Sequence, residues 1–444
     1  MPGTPSPDPI STKLARIATL ARYRPALVLT SLAHHIDVAF LREAYRRTRK
    51  DAAVGVDGQT AEGYGANLEE NLQALLGRLK AGTYKAPPVR RVHIAKAEAG
   101  KTRPIGIPTF EDKIVQRAVA MVLEAIYEQD FLPCSYGFRP RRSAHQALQA
   151  LWDALTEMQG GWVLEVDIQG FFDALDHGHL RTILDQRVRD GVLRRLIDKW
   201  LKAGVLEQGR VRHPETGTPQ GGVISPLLAN IYLHEVLDQW FDTVVKPRLR
   251  GRALLIRYAD DFVILCSCED DARRVEAVLP KRLGKYGLAV HPEKTRLKAF
   301  HRPRGPVDRS MRSVPFDLLG FTHYWGRSRR GYWVVKRTTA RNRFRRAVTT
   351  AAQWCRRHRH RPLAEQQRGL NRMLRGHYSY YGITGNSRRL ETYRNEVGRA
   401  WRKWLHRRSQ RARLTWSRFS RLLERYPLAP AVVTHSIYRH AAKP

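Results

Sequence analysis

The chain has 444 residues, 42% of them hydrophobic, with 79 Lys plus Arg against 41 Asp plus Glu and a formal net charge of +38. That length supports two or three domains around a sizeable core, and the hydrophobic content excludes a disordered polymer. The charge points to a polyanionic partner, nucleic acid foremost, without separating an enzyme from a ribosomal or chromatin-like structural protein.

The first residues, Met1-Pro2-Gly3-Thr4-Pro5-Ser6-Pro7, are polar and proline-rich with no apolar signal core, and no run approaches the ~18 apolar residues of a membrane span. A soluble, cytoplasmic protein with no membrane partner is expected. The cysteines Cys134, Cys266, Cys268 and Cys355 form no C-x-x-C pair and no zinc-finger spacing, so a structural zinc is not expected.

A basic helical pattern runs from about Ser11 to Arg49, Gly55-Val56-Asp57-Gly58 reads as a turn, and 62–80 reads as another helix. Val89 to Ile94 forms a short strand that leads into Lys96, a loop at Gly100, and Lys101-Thr102-Arg103-Pro104. Glu111 to Glu128 is helical, with Ile114, Ala118, Met121, Val122 and Ile126 as its apolar stripe. Ser135-Tyr136-Gly137-Phe138-Arg139-Pro140 is a second loop, and helix resumes from Ser143. Trp162 to Ile168 is a strand that delivers Asp167 to its carboxyl end.

Gly221-Gly222 opens a helix that Ser225 can cap and Pro226 can begin, with Leu233, Val236, Leu237, Trp240 and Phe241 as its stripe. Leu254-Leu255-Ile256 and Phe262-Val263-Ile264-Leu265 flank Tyr258-Ala259-Asp260-Asp261 and read as a β-hairpin. A helix over about 270–286, a break at Gly287, a strand through Val290 and the loop His291-Pro292-Glu293-Lys294-Thr295 follow. Residues 301–315 are rich in Pro, Gly and Arg and mark a subdomain edge, with short strands near 318–324 and 332–335 after it.

From 331 to 444 there are 28 Lys plus Arg against four acids, a net +24 on about a quarter of the chain. This stretch reads as three or more helices whose charges flank Trp354, Tyr378, Tyr380, Tyr381, Trp401 and Trp404. Such interleaving suits phosphate contact with base stacking; the alternative is a bundle with solvated arginines and core aromatics.

The chemistry centres on the hairpin. Adjacent carboxylates repel each other and are costly to hold ionised near a core unless a cation neutralises them. A hard divalent ion, Mg²⁺ where phosphates also bind, is the natural partner. Asp167 leaves its strand as Asp260 and Asp261 leave theirs, so antiparallel pairing of the two elements would bring three carboxylates together. Two ions ~3.5–4 Å apart on such carboxylates serve phosphoryl transfer. Phe172 either packs beneath an incoming sugar and excludes a 2′-hydroxyl, or is an ordinary core residue.

Asp167 with Phe171-Phe172-Asp173, Thr218-Pro219-Gln220-Gly221-Gly222, Tyr258-Ala259-Asp260-Asp261 and Leu319-Gly320-Phe321 stand in the order and at the spacing of a reverse transcriptase palm. The chain resembles most the group II intron-encoded reverse transcriptase/maturase family. It does so also at Gly55-Val56-Asp57-Gly58, Arg103-Pro104-Ile105-Gly106-Ile107-Pro108, the Ser135–Pro140 loop, and Leu370-Asn371 through Gly376–Gly382.

The resemblance implies an α+β right hand with fingers and a ferredoxin-like palm, followed by a basic α-helical thumb or maturase domain. The implied domains are 1–50 as a basic helical extension, 51–325 as fingers and palm, and 326–444 as thumb. It implies Asp167, Asp260 and Asp261 as catalytic and metal-binding residues for two Mg²⁺ ions. Lys96, Arg103, Phe172, Gln220 and Lys294 are implied at the nucleotide, and Arg139, Arg402, Lys403, Arg407 and Arg408 at nucleic acid.

The implied activity is RNA-directed DNA polymerisation that copies group II intron RNA, from an RNA template with a DNA primer or target DNA and dNTPs, coupled to help with splicing. Alternatives are a reverse transcriptase in defence or repair without its own intron, and a non-catalytic RNA-binding splicing factor. Many members continue into a DNA-binding segment and a His/Asn endonuclease with cysteine pairs. The sequence stops at Pro444 with neither, which leads us to expect one of the shorter forms.

Overall fold

The structure, a computed structural model, describes residues 9–95, 102–207, 210–212, 217, 221–303, 313–409 and 414–436. The chain divides into two compact units, Met1–Ala144 with Leu164–Arg296, and His145–Val163 with Leu297–Pro444. Among the described residues no helix is long and apolar enough to cross a membrane, and all four cysteines are free thiols.

The first unit opens with α1 (Pro9–Tyr23) and α2 (Val38–Arg47) where one continuous helical pattern was expected. The break has local causes. Pro25 disfavours helix at Arg24, the Asp190 carboxylate captures the Leu32 and Ala33 amides at 2.6 and 2.9 Å, and Asp37 restarts the chain by capping α2 through Phe40 N at 2.8 Å. Then follow α3 (Ala61–Gly65), α4 (Leu68–Lys80), β1 (Val89–Ala95), β2 (Thr102–Ile107) and α5 (Phe110–Asp130). The stripe expected on α5, Ile114 through Ile126, is buried in full.

Beyond α6 (Ala144–Glu157), which lies almost wholly in the second unit, come β3 (Trp162–Asp167), α7 (Phe171–Ala174), α8 (His177–Asp185), α9 (Gly191–Leu201), β4 (Val205–Glu207) and β5 (Arg210–Arg212). The helix α10 (Ser225–Leu233) has Ile224 at its cap position and Ser225 as its first helical residue, one place later than the expected cap. It runs on in the wider π-helical form through 234–239 and 241–245. Val236, Leu237 and Phe241 of the predicted stripe are buried there.

The hairpin follows as β6 (Ala253–Tyr258) and β7 (Asp261–Cys266), then α11 (Glu269–Gly284). The strand expected through Val290 shrinks to a single antiparallel bridge between Ile168 and Val290. Two sheets result in this unit, one ordered β2-β1-β4-β5 and one with β7 between β6 and β3.

The strand β8 (Arg296–Ala299), which periodicity did not reveal, spans the division between the units. In the second unit β9 (Phe316–Leu318), β10 (Phe321–Arg327) and β11 (Trp333–Thr339) form an antiparallel sheet. Most of the Pro-, Gly- and Arg-rich edge expected at 301–315 lies outside the described residues. The basic tail forms α12 (Arg341–His358), α13 (Leu363–Tyr381), α14 (Ser387–His406) and α15 (Trp416–Arg425), packed on a core of Leu370, Leu374, Leu390, Val397, Trp401 and Phe419. Trp401 is fully buried and donates to Gln366 at 2.9 Å, and Tyr378 is 3% exposed, so both belong to the core and not to a stacking surface.

Candidate functional site

Strands β6 and β7 pair so that Tyr258 faces Asp261, leaving a two-residue turn of Ala259 and Asp260. Ala259 has φ 57°, the left-handed backbone for which such turns normally use glycine. A side chain there costs about 1–2 kcal/mol, so something must hold it. The flanking strands do part of this, since Phe262, Val263, Ile264 and Leu265 are all buried.

The rest is done by Arg257. Its side chain is fully buried, yet every one of its donors is used. Nε meets Asp238 at 2.7 Å and a terminal nitrogen meets the other Asp238 oxygen, making a forked pair. The remaining hydrogens go to Asn230 Oδ1 at 3.0 Å, Ser135 Oγ at 2.8 Å and the Ala259 carbonyl at 3.0 Å. Burial works against the Arg257 charge, but the Asp238 carboxylate, with smaller help from Cys134 and Asp260, holds its pKa above the ordinary value. The field of Asp260 therefore reaches this guanidinium.

The Ser135–Pro140 loop is fastened to the same turn. Cys134 O accepts from Arg257 N and Arg257 O from Tyr136 N, both at 2.8 Å. Asn230 donates to the Gly137 carbonyl at 2.7 Å. A Cβ on Gly137 would lie 2.4 Å from the Ala259 nitrogen, so only glycine permits this approach. Helix α10, its π-helical continuation, β6 and the loop thus form one rigid mount for Asp260 and Asp261.

Asp167 ends β3, the strand beside β7, and its backbone carbonyl accepts from His291 N at 2.7 Å. That bond sets the loop after Val290 so that Lys294 Nζ reaches the Asp167 carboxylate at 2.9 Å. The expected position of Lys294, near leaving phosphates, is thus a position on a carboxylate. Among the described residues no three His, Cys, Asp or Glu side chains gather closely enough to hold a metal ion. At Asp167 the cation is supplied by Lys294. The donors themselves, hard carboxylate oxygens at the ends of neighbouring strands, fit a divalent ion in their chemistry.

Phe172 lies on α7, is 7% exposed, and meets Phe171 edge to face at 5.3 Å. Gly217 packs against it: a Cβ there would come 2.8 Å from the Phe172 carbonyl, and φ is +90°. Gly217 N donates to Leu175 O at 2.8 Å and its carbonyl binds His177 Nε2 at 2.6 Å. Gly217 is therefore anchored beside Phe172, and Thr218 and Pro219 after it lie outside the described residues. Lys96 and Gln220 themselves lie outside the described residues. Arg103 pairs with Ile94 across β1 and β2, and its side chain is likewise outside them.

Arg139 corrects an expectation. Its guanidinium is buried, forks onto Glu128 at 3.0 Å, and donates to Leu132 O and Ser135 O at 2.9 Å. With those donors committed it shapes the loop and is not presented to nucleic acid. Sequence reasoning also passed over Arg257 and Asp238. The available signal was a lone cation inside the apolar run Leu254-Leu255-Ile256, where burial demands a partner.

In the second unit the four basic residues expected at nucleic acid, Arg402, Lys403, Arg407 and Arg408, divide into two pairs. Arg402 donates to Leu414 O at 3.0 Å and covers the Trp416 ring at 4.0 Å. Arg408 donates to His360 O and Arg361 O, both at 3.0 Å. Lys403 and Arg407 are exposed and flank Trp404 at 5.9 and 5.5 Å, with Arg356 at 5.6 Å.

Residues 94–323 match the family described as reverse transcriptase (RNA-dependent DNA polymerase), and residues 341–423 match the group II intron, maturase-specific domain. The chain is 36% identical over 324 residues to Protein YkfC of Escherichia coli (strain K12), covering 65% of this chain and 84% of the relative. It is 47% identical over 183 residues to Group II intron-encoded protein LtrA of Lactococcus lactis subsp. cremoris, covering 41% of this chain and 30% of that protein. With Nuclear intron maturase 2, mitochondrial, of Arabidopsis thaliana the identity is 30% over 236 residues, 45% of this chain and 30% of the relative. Against LtrA the matched stretch is thus under a third of the relative's length.

Proposed function

This chain belongs to the reverse transcriptases that carry a group II intron maturase domain, with their right-hand polymerase fold, and we propose that it is an RNA-directed DNA polymerase that copies group II intron RNA and assists that intron's splicing and mobility. Its substrates on this reading are dNTPs and an RNA template with a DNA primer or target DNA, and its RNA partner is the intron. The observation that carries the reading is the clamped Ala259-Asp260 turn beside the strand that ends in Asp167.

Reverse transcriptases use divalent metal ions, and we assign two Mg²⁺ to Asp167, Asp260 and Asp261. When bound, the ions would activate a 3′-hydroxyl and neutralise the leaving pyrophosphate. The protein's own contribution is placement. Arg257 fixes the turn, Lys294 orients and neutralises Asp167, and Lys96, Arg103 and Gln220 are assigned to the nucleotide. Cations around developing negative charge stabilise the transition state. Phe172, held by Phe171 and Gly217, is assigned to exclude the 2′-hydroxyl.

Extension of a DNA primer on an RNA template tests the reading. Asp260→Asn should abolish extension while leaving intron RNA affinity within about twofold, because a neutral amide is a far poorer ligand for a hard cation. Phe172→Val should admit ribonucleotides. Near wild-type extension by the Asp260 variant would sink the metal assignment, and unchanged discrimination against ribonucleotides would return Phe172 to a packing role.

A further inference from the structure

The loop that fastens the catalytic turn also turns one aromatic ring outward. Phe138 is 57% exposed, and its backbone is left-handed, with φ 54°. A scattered surface hydrophobic needs no explanation, but this one is different. Its neighbours on both sides are fixed: Gly137 lies against the Ala259 nitrogen, and Arg139 is locked onto Glu128 and the loop carbonyls. The backbone that carries the ring is therefore held by a rigid mount. Glycine would satisfy this backbone without strain, so what the position retains, at the expense of strain, is the ring itself. Strained residues kept by an over-determined surrounding are a mark of functional sites.

The surroundings say what the ring faces. Its centroid lies 6.2 Å from that of Tyr258, the residue that leads into Ala259 and Asp260. Three residues on, Arg141 is exposed with φ 59°, and exposed Arg142 sits 5.4 Å over the Tyr136 ring. An open aromatic face with arginines beside it takes a base and the phosphates that flank it, whatever the base.

We propose that Phe138 is a stacking platform for a nucleobase of the strand bound over the Asp260 turn, with Arg141 and Arg142 at that strand's phosphates. The inference rests on the polymerase reading for what lies over the turn, but it concerns binding and needs no chemistry. A base on this platform is fixed relative to Asp260, because platform and turn share the Arg257 mount.

The test uses the full chain with primer–template duplexes carrying 2-aminopurine either as the primer's terminal base or at the facing template position, without dNTPs. The fluorescence of one of these two probes should be quenched on binding, which identifies the strand. Phe138→Gly relieves the strained backbone, so it should melt at the wild-type temperature or above. It should lose the quench and bind about 5- to 150-fold more weakly, the range that base–aromatic stacking carries. Phe138→Trp should keep both quench and affinity. Equal quenching and affinity in the Gly variant would overturn the proposal, as would a Gly variant that melts well below wild type, since Phe138 would then be a packing residue. Failure of the wild type to extend any primer would instead strike the polymerase reading, while the quench would still report on the platform.

Discussion

Lys294 Nζ and the Asp167 carboxylate stand 2.9 Å apart, with 52% and 39% of their side chains exposed. An ion pair this open contributes ~0–1 kcal/mol to stability. Folding therefore does not explain why the His291–Asp167 backbone bond delivers a lysine to that carboxylate. On the proposed polymerase reading, charge compensation at the reacting phosphates does.

Lys294→Ala should accordingly shift the unfolding free energy by less than about 1 kcal/mol and slow single-turnover extension roughly ten- to a hundredfold, with Lys294→Arg between the two. Denaturation and rapid-quench extension on the same preparations check this. A slow variant that is also several kcal/mol less stable would make Lys294 structural.

Much of this arrangement was legible in the sequence, for physical reasons. The hairpin showed itself because two apolar runs of β-formers split by a polar pair have few other solutions, and Asp167 because a strand ending in a carboxylate is readable by alternation. Arg257 was not legible as a clamp. Its partners Asp238, Asn230 and Ser135 are 19 to 122 residues distant, and periodicity says nothing of pairing at that range. The π-helical run after Leu233 was hidden because its apolar stripe still suits a 3.6-residue period. Arg139 was misplaced because an arginine in a loop reads as solvent-facing until its burial is seen.

Arg257 separates stability from positioning. Removing one partner of a buried pair costs about 3–5 kcal/mol, because the other charge is left unpaired. Arg257→Met should lose about that much. Adding Asp238→Leu should recover most of it, since an apolar pair can replace a buried ion pair. Extension should not recover, because nothing then holds the Ala259 carbonyl. Chemical denaturation and extension rates for the single and double variants decide it, and a double variant with wild-type activity would reduce Arg257 to a packing role.

Asp112 gives a pH signature. Burial pushes its carboxyl up to about 6, against the pull of donors from Tyr84, Trp200 and Gln116. Gln116 passes the constraint on by accepting from Val223 N at 2.7 Å, just past the Gly221-Gly222 pair. A raised pKa means that the folded state holds the proton more tightly than the unfolded one. The stabilisation is complete below about pH 4 and is lost as pH rises to about 6. Wild type should therefore lose, relative to Asp112→Asn, on the order of 2–3 kcal/mol between pH 4 and 7. Urea midpoints for both proteins across that range test the sign, and a wild type that gains stability relative to Asp112→Asn as pH rises would contradict it.

The basic helices of the second unit permit a sharper experiment than neutralising a whole cluster. Lys403 and Arg407 flank Trp404 and are exposed, whereas Arg402 and Arg408 donate to backbone carbonyls. Each phosphate contact contributes about 0.7–0.9 to the slope of log affinity against log salt. Lys403→Ala with Arg407→Ala should flatten the intron RNA slope by about 1.5 and leave the melting temperature unchanged. Arg402→Ala with Arg408→Ala should lower the melting temperature and flatten the slope less. RNA affinity over a salt series, beside thermal melting, reads both effects. Splicing assistance should fall with the first pair more than extension of a saturating primer–template does, since splicing depends on holding a large folded RNA. If the first pair leaves the slope untouched, the +24 of this region is a solvated face and the RNA-binding role of these helices fails.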